Sequence, residues 1–476
     1  MAKKQPNIIL IMSDDLGYEV IGANGGTSYR TPRLDQMARN GMRFESAHVL
    51  PLCTPTRLSL MTGKYNFRNY IGFGLMNPGE VTFGHLLSDA GYNTCISGKW
   101  QFYSYNPPDE MPEMRAKGQR IEDAGFDEFC VWHAHHTEEK GSRYKNPIVF
   151  QNGEFRDDTE GRYGEDIFCD YIIDYIGRKK DDDNPFFVYW PMVATHKPHE
   201  PTPDSPEWNE FDPPVQRFVA GRTWEDLGET SGDDPRFYRD MVEYHDKVIG
   251  RLIDYLGEQG IREDTLLIYL GDNGTPTDVC SMMHGHNEIC GGKGKTNDRG
   301  THVPLICSMP GTIPSGSVLS DLIDSTDFLP TMFEVAGREF PDGYLIDGRS
   351  FYPQLLGGKG NARDWMFFHF EPMNGKFDTG RIRFVRDHQW KLYETGELYD
   401  LRDDLDEDLP IYESNDTTEQ SSARAKLQAV LSGKVYPEIP SNKKPPSTKR
   451  GQFCAQINGW GSQDRTAASG SRVREP

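Results

Sequence analysis

The chain has 476 residues, of which 52 are Lys or Arg and 73 are Asp or Glu, so its net charge at pH 7 is −21. A chain this acidic is not expected to bind nucleic acid or an anionic membrane, because both require a basic face. The length allows one large domain or two to three of average size, and a sizeable core can form. An anionic substrate would need a locally positive site.

The N-terminus begins with basic residues, but the apolar run after them is only about five residues, shorter than the roughly 7–15 of a secretory signal. No stretch approaches the roughly 20 apolar residues of a membrane span. We therefore expect a soluble protein with no membrane partner. On the sequence as given it would be cytoplasmic, and with a leader removed it would be periplasmic or secreted.

Apolar strands alternate with helices along the first 360 residues. The run 7–13 ends in acidic residues, as a buried parallel strand feeding a loop does. Thr31 and Pro32 are typical of an N-cap and a first helical residue, and Gly41 can end that helix. Helix and strand recur in the same order at 82–98, 166–193 and 235–271. This alternation predicts an α/β fold with a large, doubly wound, mostly parallel sheet flanked by helices.

Beyond about residue 360 the pattern changes to short aromatic and β-branched runs with charged turns, followed by a helical segment. This change predicts a smaller C-terminal antiparallel sheet with a packed helix. The end of the chain is rich in Pro, Ser, Lys and Gly, which is typical of an irregular tail. We predict a large α/β domain over 1–360, a small α+β subdomain over 361–436 and a tail over 437–476.

Candidate functional residues follow four of the predicted strands: Asp14 and Asp15, Lys99, His196, and Asp272 and Asn273. Ligands of open α/β sheets bind at the carboxyl ends of the strands, so these segments are expected to converge on one pocket. Oxygen ligands without companion cysteine or histidine suit Ca²⁺ or Mg²⁺ better than zinc. Taken singly, Asp and Asn after a strand are ordinary turn and N-cap residues.

Eight cysteines are scattered through the chain without Cys-x-x-Cys pairs, which indicates neither a zinc ribbon nor a disulfide scaffold. Most are expected to be buried thiols. One of them, Cys53, stands in LCTPTRLSLMTGKY, residues 52–65. That segment resembles the maturation signature of the type I, formylglycine-dependent sulfatases of the alkaline phosphatase superfamily, C-x-P-x-R followed by Thr-Gly.

The resemblance implies that a formylglycine-generating enzyme oxidises Cys53 to Cα-formylglycine, so that the reactive group is not a thiol. It extends over roughly residues 7–405, because further motifs match in order. GDNG is present at 271–274, GKW at 98–100, and ELYDL followed by acidic residues at 397–408. The match makes Ca²⁺ the favoured ion, with Mg²⁺ as the alternative.

The resemblance also assigns roles to single residues. The implied metal ligands are Asp14, Asp15, Cys53, Asp272 and Asn273. The other implied catalytic residues are Arg57, Lys99, His196 and Lys293. Arg57 would hold the nucleophile and the metal ligands, the two lysines would bind the sulfate, and His196 would protonate the leaving alcohol. Lys295 competes with Lys293, and His199 competes with His196, for their respective roles.

The chain departs from the family pattern at Gln101, where the family has a histidine after GKW. Glutamine cannot act as a general base, although it can still hydrogen-bond the group at residue 53. Candidates for a replacement are His133, His135, His136, His284 and His286. Residues that could contact the substrate are Gln101, His199 and His286. We interpret His302, which precedes Val-Pro where the family commonly has arginine, as structural.

These matches predict a sulfatase that hydrolyses a sulfate ester to an alcohol and inorganic sulfate. A sulfated carbohydrate is favoured as substrate, because aromatic and charged residues at 100–160 and 200–235 can stack on sugar rings. One alternative is a phosphonate or phosphate monoester hydrolase of the same superfamily. Another, motivated by Gln101, is a noncatalytic relative that binds sulfated glycans.

Overall fold

The computed structural model describes residues 5–108, 110–213, 233–285, 288–374 and 380–433. The predicted tail over 437–476, His286, Cys454 and part of the aromatic segment 200–235 lie outside the described residues. Of the described helices, none has both the length and the apolar character needed to cross a bilayer.

The described strands are, in chain order, β1 (Asn7–Ser13), β2 (Met42–Phe44), β3 (Ala47–His48), β4 (Asn93–Lys99), β5 (Glu128–Trp132), β6 (Val149–Gln151), β7 (Glu154–Phe155), β8 (Phe186–Pro191), β9 (Thr265–Gly271), β10 (Cys280–Ser281), β11 (Ile289–Cys290), β12 (Leu305–Ser308), β13 (Ser317–Leu319), β14 (Ile323–Asp324), β15 (Met366–Phe370), β16 (Ile382–Arg386), β17 (Trp390–Tyr393) and β18 (Leu398–Asp400). The α-helices are α1 (Pro32–Arg39), α2 (Cys53–Thr62), α3 (Phe83–Asp89), α4 (Gly164–Lys179), α5 (Phe237–Glu258), α6 (Asp298–Thr301), α7 (Phe328–Val335), α8 (Tyr352–Leu355) and α9 (Thr418–Leu431).

The largest sheet has ten strands in the order β13-β2-β12-β9-β1-β8-β4-β5-β6-β7. Its central strands β9, β1, β8, β4 and β5 pair in parallel, whereas β12, β6 and β7 pair antiparallel to their neighbours near the edges. A second sheet, β15 to β18, is antiparallel throughout, and α9 packs against β16 and β17. The predicted large, mostly parallel sheet with a smaller antiparallel sheet is confirmed.

Strand β1 shows why its sequence is an unbroken apolar run. Ile9 and Ile11 belong to the core shared with α1, α4 and α5, and Leu10 belongs to the core shared with α2, α3 and α7. Successive side chains of a strand point to opposite faces, so a strand covered by helices on both faces is apolar at every position. The polar residues that follow such strands are then confined to the edge of the sheet.

A third core joins the small sheet to the segment that precedes α2. Leu52 and Cys53 pack there with Phe368 of β15 and Phe384 of β16. The small sheet therefore packs against the predicted nucleophile and the residues just before it. The division at residue 360 stays a prediction.

The prediction for the cysteines is wrong in one respect. Cys280 and Cys290 form a disulfide across the antiparallel pair β10 and β11, although their spacing of ten residues carries no recognisable signal. The two residues oppose each other only once the short hairpin has formed. The remaining described cysteines are buried thiols, as expected: Cys53, Cys95, Cys130, Cys169 and Cys307.

Candidate active site

The predicted metal ligands lie together at the carboxyl ends of two central strands. β1 and β9 run parallel with Ser13 opposite Gly271, so residues 14–15 and 272–273 emerge side by side at the carboxyl ends of the strands. The four side chains have no exposed surface: Asp14, Asp15, Asp272 and Asn273. Convergence of segments more than 250 positions apart follows from the strand order alone.

Hydrogen bonds within this group leave two oxygens free. The backbone N–H of Asp15 donates to Asp272 Oδ1 over 3.0 Å, and Asn273 Nδ2 donates to Asp15 Oδ1 over 2.8 Å. Asp14 Oδ1 and Asn273 Oδ1 are buried and accept no hydrogen bond from the described residues. Buried acceptors without partners are costly, and a hard cation bound between these oxygens would satisfy them.

The predicted nucleophile lies against the same oxygens. Cys53 Sγ and carboxylate oxygens of Asp14 and Asp272 lie within 4.8 Å of one another. The donor set, mostly carboxylate and amide oxygen, fits Ca²⁺ or Mg²⁺. The sequence-predicted ligands are therefore brought together in a form that can hold one divalent ion.

Three cations neutralise the buried carboxylates. Lys99 Nζ donates to Asp14 Oδ2 over 2.7 Å, and Lys293 Nζ donates to Asp15 Oδ2 over 2.6 Å. Arg57 donates through Nε to Asp272 Oδ2 over 2.9 Å.

Because three cations already balance three carboxylates, a divalent ion would leave the pocket positive, as an anionic ester requires. Lys295, the competitor of Lys293, is exposed.

The pKa values reflect this crowding of charge. Burial, with the neighbouring Asp14 carboxylate, raises the pKa of Asp272 to about 7. Burial opposes ionisation of Asp14 too, but Lys99 and Arg57 lower its pKa to about 2. Burial also disfavours the charged form of Lys293, yet Asp15 raises its pKa above the ordinary value. Like charges forced together in a dry site are what a bound cation relieves.

Cys53 is the first residue of α2. Its side chain is 1% exposed, and the thiol donates a hydrogen bond to Gln101 Oε1 over 3.9 Å. Burial is the main cause that raises the pKa of the thiol. Cys53 as a thiol is thus a poor nucleophile, although the helix N-terminus at which it stands favours an anion.

His196 lies in the loop after β8, with Nε2 3.8 Å from Asp15 Oδ2 and its side chain 23% exposed. Its Nδ1 lies 2.6 Å from the carbonyl oxygen of Lys197, so this nitrogen carries the proton and Nε2 faces the pocket. Burial, followed by the positive charge of Lys293, lowers the pKa of His196 well below its ordinary value.

Two residues that sequence reasoning missed hold the His196 loop. Glu165 of α4 accepts hydrogen bonds from the backbone N–H groups of Val193 and Ala194, over 2.7 and 2.8 Å. The Tyr144 hydroxyl donates to the Val193 carbonyl over 2.8 Å and also contacts the His196 carbonyl. Neither residue lies in a recognisable motif, because each acts through backbone atoms of a distant loop.

The other predicted histidines lie elsewhere. His199 is fully buried, with Nδ1 3.1 Å from Asp233 Oδ1 and its ring against Tyr238, so it has no surface for a substrate. His302 stacks on Tyr18 and His48, in keeping with a structural role.

Gln101 and His133 are neighbours at the ends of β4 and β5. Lys99 lies opposite Trp132 in the register, and the backbone N–H of Gln101 donates to the His133 carbonyl over 3.2 Å. Both residues have positive φ, 54° and 58°, a strained conformation that clusters at functional sites. Of the replacement histidines among the described residues, His133 lies beside Gln101. Its buried Nδ1 has no partner there.

His135 and His136 instead pack on aromatic rings, and His284 is exposed. His286 cannot be placed, as it falls in a gap of the described chain.

Two protein-family models match the chain: Sulfatase over residues 6–338, and N-sulphoglucosamine sulphohydrolase, C-terminal, over residues 293–433. N-acetylgalactosamine-6-sulfatase of Canis lupus familiaris is 29% identical over 402 residues, covering 77% of this chain and 69% of that protein. Arylsulfatase A of Homo sapiens is 30% identical over 397 residues, covering 77% and 71%.

Solved structures share the fold at lower identity. Ps i-CgsB superposes with a TM-score of 0.69 at 23% identity, covering 90% of this chain and 92% of that one. The phosphonate monoester hydrolase of Agrobacterium radiobacter superposes with a TM-score of 0.63 at 20% identity, covering 90% and 94%. The first family model spans most of the chain, and the curated relatives are sulfuric ester hydrolases. The chain belongs to the sulfatase family and is a sulfuric ester hydrolase.

Proposed function

We propose that this protein hydrolyses a sulfate ester of a sulfated carbohydrate, with a formylglycine made from Cys53 as nucleophile and one divalent metal ion. The observation that carries the proposal is the meeting of Cys53, Asp14 and Asp272 within 4.8 Å at the carboxyl ends of the central strands. Few arrangements other than a metal-assisted nucleophile require a buried cysteine among carboxylates.

The unmodified thiol is poorly suited to the reaction, since burial raises its pKa. A formylglycine at this position would, once hydrated, supply the hydroxyl nucleophile that the buried thiol does not. The first turn of α2 places its free backbone N–H groups beside the group at residue 53, where they stabilise negative charge. A formylglycine-generating enzyme is therefore a required partner for maturation.

The metal would be held by Asp14, Asp15, Asp272 and Asn273, whose two unpartnered oxygens provide the fit. A bound divalent ion lowers the pKa of an attacking hydroxyl and neutralises the sulfuryl oxygens. Ca²⁺ is favoured over Mg²⁺, because it accepts an all-protein oxygen shell of irregular geometry.

The remaining side chains bind and orient the ester. Lys99 and Lys293, each bonded to a ligand carboxylate, direct positive charge at the sulfate, and Arg57 fixes Asp272. A sulfate beside His196 raises the low pKa of the imidazole, so that Nε2 takes up a proton for the leaving oxygen. Gln101 donates or accepts a hydrogen bond at residue 53 but moves no proton.

The choice of a carbohydrate is supported by the relatives. The curated relative of Canis lupus familiaris is named for N-acetylgalactosamine-6-sulfate, and one fold neighbour, BT4656, binds D-glucosamine-2-N,6-O-disulfate as its substrate. The second matching family model is that of an N-sulphoglucosamine sulphohydrolase. A sulfated amino sugar is the substrate class that these names have in common.

The test is to produce the protein with a formylglycine-generating enzyme and to measure the conversion of Cys53 by peptide mass spectrometry. Sulfate release is then measured across a panel of sulfated sugars and compared with phosphate release from matched phosphate monoesters. We expect sulfate release that scales with the converted fraction. Preference for phosphate would instead support the monoester hydrolase, and glycan binding without release would support a noncatalytic protein.

A further inference from the structure

Arg143 is a buried cation that the proposed reaction does not use. Its side chain is 8% exposed, and Nη1 has no hydrogen-bond partner among the described residues. Its guanidinium carbon lies over the Trp132 ring, 4.2 Å from the centroid, a contact that compensates only part of the cost of burying a charge. Native proteins seldom bury an unpaired charge unless a ligand completes it.

The backbone around Arg143 fixes it between two parts of the active site. Trp132, on which it stacks, lies opposite Lys99 in the register of β5 and β4. The adjacent Tyr144 is tied by its hydroxyl to the loop that carries His196. A Cβ at Gly164 would lie 2.1 Å from the Arg143 carbonyl oxygen, so only glycine allows this close approach. The backbone of Arg143 is therefore fixed by close packing between these two parts of the active site.

Arg143 lies close enough to the active site for its charge to act on groups there. Arg143 is among the cations that lower the pKa of Asp14, of His133 and of His196. Lys99, Lys293 and Arg57 each bond a ligand carboxylate, whereas Arg143 forms no ion pair with any carboxylate of the described chain. Its charge is thus available to a group that arrives with the substrate.

Glu200 is the other buried group on this side without a full set of partners. It follows His199, is 3% exposed, and its Oε2 accepts no hydrogen bond from the described residues. Burial raises its pKa to about 8, against the opposing charge of Arg143. A neutral carboxyl beside a guanidinium complements a sugar that presents one anionic group and one hydroxyl.

We propose that Arg143 is a specificity-determining residue that binds a second anionic group, a carboxylate or another sulfate, on the sugar that carries the scissile sulfate ester. The proposal rests on the proposed function, since it assumes that the sulfate ester lies between Lys99, Lys293 and His196. The planar fork of arginine pairs with either anion through two parallel hydrogen bonds.

The experiment uses the matured protein with 4-nitrophenyl sulfate as reporter substrate and sulfated sugars as competing ligands. Two matched pairs separate the two anions: glucosamine 6-sulfate against glucosamine 2-N,6-O-disulfate, and glucose 2-sulfate against glucuronic acid 2-sulfate. In the wild type, the doubly charged member of at least one pair should inhibit about 10- to 100-fold more strongly. Arg143→Gln should bring that ratio to within about threefold of unity.

Arg162→Gln is the matched control, because the Arg162 carbonyl accepts a hydrogen bond from the nearby Asn146 N–H, whereas its side chain is partly exposed and pairs with Asp170 at 2.9 Å. It should keep the wild-type ratio. Arg143→Lys, which retains one charge but not the fork, should give an intermediate ratio and serves if the glutamine variant does not fold. A wild-type ratio near unity for both pairs, or a ratio that survives in Arg143→Gln, would overturn the proposal.

Failure of the proposed function would give a different experimental result. If the matured wild type does not turn over the reporter, the same sugars are titrated calorimetrically, and the ratio of dissociation constants then decides the role of Arg143. Loss of turnover with an intact ratio would therefore refute the sulfatase mechanism and retain the anion site.

Discussion

Two groups of titratable side chains lie near the carboxyl ends of the central strands. They differ in whether their members form ion pairs with one another. In the ligand cluster, each cation bonds a carboxylate at 2.6–2.9 Å; its members are Asp14, Asp15, Asp272, Arg57, Lys99 and Lys293. In the rim group, by contrast, no side chain forms an ion pair among the described residues; its members are His133, Arg143 and Glu200.

The difference indicates that the ligand cluster is preorganised for the reaction, whereas the rim group gains its partners only when a substrate binds. The ligand cluster is held rigid by its own ion pairs, so the reacting groups need little rearrangement when a substrate binds. The rim group is positioned by backbone contacts and packing, and the charge of Arg143 stays without a counter-ion until a substrate supplies one. Catalysis should therefore fail when the ligand cluster is altered, whereas substrate preference should change when the rim group is altered.

The largest effect should come from the ligand cluster at residue 53. Cys53→Ala removes the precursor of the nucleophile and should lower sulfate release by roughly 10⁴-fold or more. Cys307→Ala, at another buried cysteine, in β12, should retain activity. Release of sulfate by Cys53→Ala within tenfold of the wild type would show that another group attacks sulfur.

Removal of the metal should have the next largest effect. Exhaustive chelation should lower activity by about 10³-fold. It should also lower the melting temperature, because the buried oxygens Asp14 Oδ1 and Asn273 Oδ1 lose the cation that they bind. Added Ca²⁺ should restore both, and more effectively than Mg²⁺. Differential scanning calorimetry with parallel assays tests this, and a melting temperature unaffected by chelator and by both ions would contradict a metal site.

A pair of nearby lysines tests how specific the ligand cluster is. Lys293→Met removes the cation that lies 2.6 Å from Asp15 Oδ2 and should lower kcat/KM by about 100-fold. Lys295→Met, two residues away and exposed, should change it less than twofold. Steady-state kinetics on one aryl sulfate suffices, and equal losses in the two variants would mean that only the general positive field matters.

Asp14, Asp15, Lys99 and Asp272 could be located from sequence because each stands at the end of a strand or directly after one, whereas Arg57 and Lys293 are located by the family resemblance. The strand pattern of residues 7–13 predicts where Asp14 and Asp15 emerge, and the alternation of elements predicts that they meet Asp272. Local periodicity and parallel pairing are enough for such residues.

The rim group could not be located in this way. Arg143 lies in an irregular loop, and its burial depends on Trp132, on Gly164 and on a tyrosine hydroxyl bonded to a distant carbonyl. His199 shows the converse, since it lies near His196 in sequence but turns inward to Asp233. Side-chain direction in loops is set by tertiary contacts that no short pattern records.

The smallest effects should come from Glu165, which connects the two groups through the loop at 193–196. Glu165→Ala leaves the backbone N–H groups of Val193 and Ala194 buried without an acceptor, a cost of about 1–3 kcal/mol for each. The loop should loosen, kcat should fall by roughly tenfold, and the preference for doubly charged sugars should weaken. Glu165→Gln keeps an acceptor oxygen and should retain most of the activity.

The difference in melting temperature between the wild type and Glu165→Gln should depend on pH. Burial raises the pKa of Glu165 from 4.5 to about 7, so the folded protein binds this proton more tightly than the unfolded chain does. The stabilisation is fully present below about pH 4.5 and is lost as pH rises through about 7. Glu165→Gln does not titrate, and its melting temperature relative to the wild type should rise by about 3 °C between pH 5 and pH 8. A difference that stays constant across this range would show that Glu165 is ionised in the folded protein, and that the two backbone N–H groups stabilise its charge rather than its neutral form.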